Sequence, residues 1–133
     1  GVTMLLFGHP YIAFEPFYHI DEIAAIALTP PGSTLLLPFK EENLDIITHM
    51  RENSLPYAIE AADLSEAVFA HNLGAKYIVV HETLAKSAQN AAETYLFDAK
   101  ILCRLADTGS LEEKIIEGID GVIFPEAIIK VSG

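Results

Sequence analysis

From residue 34 onward, short apolar runs recur along this chain, at 34–39, 57–60, 77–80, 100–105 and 121–124. They are rich in Leu, Ile, Val, Tyr and Phe and stand roughly two dozen residues apart, which is strand composition at βα spacing. Between them lie segments with helical periodicity and their own boundary signals. Residues 41–53 carry Leu44, Ile47 and Met50 at core spacing, and acids open that segment, where they suit the positive end of the helix dipole. Asp63 and Glu66 form a capping pair ahead of a helix that stops before Gly74. Thr83 stands as cap for a third helix, whose Ala85, Ala88, Ala91 and Ala92 allow close approach to a sheet. Ser110 and Glu113 match a capping box, and Gly118 closes that last helix.

Strands alternating with helices in this way predict an α/β fold. The expected architecture is three-layered: an open, mainly parallel sheet of about five βα units covered by helices on both faces. A half-barrel completed by a partner is the alternative, because five regular strands are too few to close an eight-stranded barrel.

Residues 1–33 break the rhythm. Segments 3–7, 11–14 and 17–20 are strand-like, and Gly8, His9 and Pro10 read as a turn between the first two. Pro10 and Pro16 lack the amide that a central strand needs, so this part is expected at a sheet edge or as an arm. Asp21 caps a predicted short helix over 22–28, stopped by Pro30 and Pro31. The whole chain, 1–133, is read as one domain: an irregular N-terminal region followed by the βα repeat over 34–133.

Composition narrows the functional classes. The apolar fraction is 51% and mean hydropathy is +0.32, yet no apolar run reaches the ~20 residues of a membrane span. The excess is expected in a core and in a subunit interface, which makes a homo-oligomer the expected state. A net charge of −11 opposes binding to nucleic acid or to an anionic membrane surface. The single cysteine, Cys103, excludes an internal disulfide and suits a reducing, cytoplasmic setting. The first residues lack the pattern of a secretory leader, which agrees with that setting. Five of the twelve Phe and Tyr residues (Phe7, Tyr11, Phe14, Phe17 and Tyr18) crowd the N-terminal region, flanked by His9 and His19. Such a concentration fits packing of this region onto its own or another subunit's sheet.

Ligands of open parallel sheets collect beyond the strand carboxyl ends. There the chain offers Lys40, Glu41, Glu60, Asp63, His81, Glu82, Arg104, Asp107 and Glu126, of which Glu60, His81, Glu82, Arg104 and Glu126 are the candidate ligand-binding residues. Four of them (Glu60, His81, Glu82 and Glu126) could supply oxygens and one nitrogen to a divalent ion. Neighbouring His81 and Glu82 point to opposite faces in extended backbone, however, and the spacing matches no ligand motif, so no metal is assigned. Arg104, before the small loop at 106–110, could hold an anion, although Glu112 and Glu113 oppose one there. No phosphate-binding glycine motif, nucleophile elbow or phospho-acceptor pattern occurs, and neither a catalytic residue nor a cofactor is assigned. Inside an apolar strand, Arg104 needs a carboxylate, expected from Asp107, Glu82 or Glu126.

Two functional readings follow. One is a small domain binding a small polar ligand at the strand ends, with or without turnover. The other is a non-catalytic, homo-oligomeric interaction or scaffold subunit.

Overall fold

The structure, a computed structural model, describes residues 2–131. Eight short strands form one sheet: β1 (Leu5–Phe7), β2 (Phe17–His19), β3 (Thr34–Pro38), β4 (Tyr57–Glu60), β5 (Tyr77–His81), β6 (Lys100–Arg104), β7 (Gly121–Ile123) and β8 (Ile128–Lys130). Four α-helices follow strands β3 to β6: α1 (Leu44–Glu52), α2 (Leu64–Asn72), α3 (Ala85–Thr94) and α4 (Leu111–Ile116). Every neighbouring pair is parallel, and the order is β1-β7-β6-β5-β4-β3-β2-β8.

That order requires a curled sheet. β7 lies second and β8 eighth, so in a flat sheet six spacings of about 4.8 Å, roughly 29 Å, would separate them. Only residues 124–127 join the two strands, and so short a link spans at most about 18 Å. The sheet must bend to let the chain across. The aromatic contacts agree. Phe7 of β1 and Phe17 of β2, also six places apart, meet edge-to-face with ring centroids 4.9 Å apart.

The curl divides the apolar side chains into two sets by strand alternation. Phe17, Leu36, Ala58, Val79, Leu102 and Ile123 point inward and form a cluster to which none of the four helices contributes a buried residue among those described. Leu35, Leu37, Ile59, Ile78, Val80 and Ile101 point outward. They share a second cluster with Ile47 and Met50 of α1, Ala67 and Ala70 of α2, and Ala85, Ala88 and Ala92 of α3. Burial on both faces is why the strands read as continuous apolar runs rather than alternating ones.

The parallel α/β class therefore stands, with eight strands in place of about five βα units and a curled sheet. The added strands are all three residues long. β1 is an edge strand, but β2 is not: Ile128–Lys130 flanks it opposite β3. Residues 11–14 form no strand, and 23–28 make a 3-10 helix without a side-chain cap. Asp63 does cap α2 by accepting from the Glu66 amide, while Glu66 reaches back to the Ala62 amide. At α4 the expected Ser110 cap is absent. Asp107 instead accepts from the Gly109 amide and opens a 3-10 turn ahead of the helix. No helix among the described residues is long and apolar enough to cross a membrane.

Candidate functional site

Alternation carries the inward parity of the apolar core to the last residue of each strand. Five strands end on polar residues of that parity: His19 on β2, Glu60 on β4, His81 on β5, Arg104 on β6 and Lys130 on β8. The register sets His81 beside Arg104 and His19 beside Lys130. Apolar residues line the interior, and polar residues stand at its carboxyl-end mouth.

Glu60 spans this mouth. Its Oε2 accepts from Nη1 of Arg104, and its Oε1 lies 3.7 Å from Nε2 of His19. The three residues come from alternate strands, with β5 between β6 and β4 and β3 between β4 and β2. Contacts of this reach need a concave sheet. The Glu60 side chain is 18% exposed and that of Arg104 is 51% exposed, so the pair sits at the boundary with solvent. Solvent screening at Arg104 holds its contribution to stability to about 1 kcal/mol or less.

His81 is held by the turn that follows it. Its Nδ1 accepts from the Thr83 amide at 3.2 Å and lies 2.9 Å from Thr83 Oγ1. An amide can only donate, so in the neutral ring Nδ1 is the acceptor and the proton sits on Nε2. Thr83 thus orients His81 rather than capping α3, whose N-cap residue is Leu84.

Two adjoining depressions open here, and both are walled by His81 and Arg104. One, of about 410 Å³, is bounded by Ala106, Asp107, Ser110 and Pro125. The other, of about 390 Å³, takes in Lys40, Glu60 and Glu66. Rim carboxylates Asp63, Glu66 and Asp107 are engaged by backbone amides of their own loops. Lys40 and Arg104 bring positive charge to a mouth that also holds the carboxylates of Glu60, Glu66, Glu82 and Asp107, in a chain of net charge −11.

Of the residues singled out in the sequence, Glu60, His81 and Arg104 come together. Glu82 is half-buried, borders the first depression, and uses its carbonyl to accept from Lys114 Nζ at 3.0 Å. Glu126 is exposed on the turn Pro125–Ala127 and lines neither depression. Arg104 meets Glu60 instead of Asp107, Glu82 or Glu126. Its partner lies two strands away across the curl, out of reach of a reading confined to adjacent strand ends. His19 and Lys130 were not among the strand ends read from the sequence; Lys40 was read at the end of the first regular strand but left out of the candidate set. Among the described residues no group of three His, Cys, Asp or Glu side chains is placed to hold a metal ion.

Cys103 faces away from this mouth, in the outer cluster. Burial is the main cause that pushes its thiol up to about 11, so it is a protonated thiol at neutral pH. Nearby Lys114 is only 3% exposed and donates to Glu117 Oε1 at 2.8 Å. Burial pulls its ammonium down, but the Glu117 hydrogen bond and the charges of Glu117 and Glu113 act the other way and leave it raised. Iodoacetamide at neutral pH should leave Cys103 unmodified in the native protein and alkylate it in denaturant, read by intact mass. Rapid native labelling would contradict its placement.

No protein-family model matches the chain, and no curated protein matches it.

Proposed function

We propose that the protein binds a small anion, a phosphate- or carboxylate-bearing molecule, at the carboxyl-end mouth of β4, β5 and β6. The observation that carries this reading is the meeting of His81 and Arg104 on the shared wall of two depressions, with Lys40 beside them. In the proposed complex the Arg104 guanidinium makes charge-assisted hydrogen bonds to the anion, and Glu60 aims it from behind. His81, whose Nδ1 accepts from the Thr83 amide, presents its Nε2–H to the ligand as a hydrogen-bond donor. The buried, unpaired Cys103 suits a reducing compartment such as the cytoplasm.

Calorimetric titration with inorganic phosphate and with malonate tests this. At least one should bind saturably, and Arg104→Met should weaken it about tenfold or more, the scale of one charge-assisted hydrogen bond. Glu60→Gln should retain binding, since it releases the guanidinium from a competing carboxylate. Equal affinities of the wild type and Arg104→Met would refute the proposal.

A second reading, a homo-oligomeric interaction subunit, is favoured by one observation. Tyr11 is 88% exposed, next to Ile12, in a segment that forms no strand. Exposed apolar residues in sequence suit a subunit contact. Light scattering behind size-exclusion chromatography decides it: a dimer mass favours this reading, and a mass of 14.5 kDa at tens of micromolar removes it.

A further inference from the structure

A cavity of about 580 Å³ lies at the opposite end of the sheet, where the strands begin. Its size falls within the range of small-molecule sites, about 300–1,000 Å³. Its floor is an aromatic trio. Phe7, Phe17 and Tyr77 meet edge-to-face, with centroids 4.9, 5.4 and 5.6 Å apart. The loops entering β2, β3 and β4 bring four prolines to the walls: Pro16, Pro30, Pro31 and Pro56. Proline fixes its own backbone angle, so these walls are set before any ligand arrives and lose little freedom on binding.

One cation and one acid line this cavity, Lys76 and Glu15. Lys76 Nζ lies 5.5 Å from the centroid of the Tyr77 ring and has no carboxylate within 4.0 Å among the described residues. A cationic ligand would have to displace this ammonium from the aromatic face. An anionic ligand would gain it as a partner. From the aromatic floor, the proline-bearing loops and the ammonium without a carboxylate partner we infer that the cavity binds a small planar aromatic anion. The ring of that ligand lies against Phe14 and the prolines, and its carboxylate meets Lys76. The site is separate from the carboxyl-end mouth and does not depend on how that mouth is used.

Indole-3-acetate is a suitable probe, because the chain contains no tryptophan and the indole emission belongs to the ligand alone. A fluorescence titration should show one saturable site with Kd below about 1 mM. Lys76→Met, at an exposed position where folding is not at risk, should weaken binding about fivefold or more. Glu15→Gln should strengthen it, and Arg104→Met should leave it unchanged. The uncharged 3-methylindole should bind about fivefold more weakly or worse. No saturation up to about 5 mM would overturn the inference. Equal affinity for the uncharged analogue, or equal losses in Lys76→Met and Arg104→Met, would overturn it as well.

Discussion

Phe17→Ala should destabilise the protein by about 3–5 kcal/mol, the range for removing a large buried aromatic side chain. Phe17 is 1% exposed and belongs to the inner cluster. Its ring also ties together strands remote in the sheet, meeting Phe7 of β1 and Tyr77 of β5. The loss should therefore include coupling as well as burial. In a double-mutant cycle with Phe7→Leu, the aromatic pair should contribute about 0.5–1.5 kcal/mol beyond the area it buries. Urea unfolding of the four proteins measures both quantities. Strictly additive losses would place the two rings out of contact and the sheet uncurled.

Gly121→Ala should lose about 2–3 kcal/mol, near the upper end for overpacking a core. Gly121 is buried on β7, where its register partners are Leu5 on one side and Leu102 on the other. A Cβ there would stand 2.7 Å from both the Cβ and the carbonyl oxygen of Leu5, and 2.9 Å from Leu102 Cδ2. Leu102 can rotate away; the Leu5 backbone cannot without disturbing the pairing of β1 with β7. Faster amide exchange at Leu5 and Phe7, with β4 and β5 unchanged, should accompany the loss. A variant as stable as the wild type would mean that β1 does not pack here.

The regular strands were legible because each is a continuous apolar run followed by a helix with its own boundary signal. Leu35, Leu36 and Leu37 are all buried, and so are Ile78, Val79 and Val80. The curl was not legible. It depends on strand order, and order is set by contacts such as Phe7 with Phe17 and Tyr77, between segments whose spacing along the chain says nothing of proximity. β8 was hidden because Ile128, Ile129 and Lys130 are too few to show a period, and their pairing with β2 is long-range.

The site divides along the same line. Glu60, His81 and Arg104 end regular strands, so the rule for strand carboxyl ends found them. His19 and Lys130 end three-residue strands and were read as part of an aromatic segment and of a tail. Glu82, also named as a strand end, follows the last residue of β5 and borders only the first depression. Arg104 was expected to need a carboxylate on grounds of burial alone. Which carboxylate it meets depended on the fold.

The anion site proposed at Arg104 is reported most directly by the arginine side chains themselves. The chain has two arginines, Arg104 on β6 and Arg51 on α1, so an Nε–H correlation spectrum holds two signals to follow. On titration with inorganic phosphate, the Arg104 signal should move along a saturating curve while that of Arg51 stays in place. Drift of both signals together without saturation, or no movement of Arg104, would contradict the account.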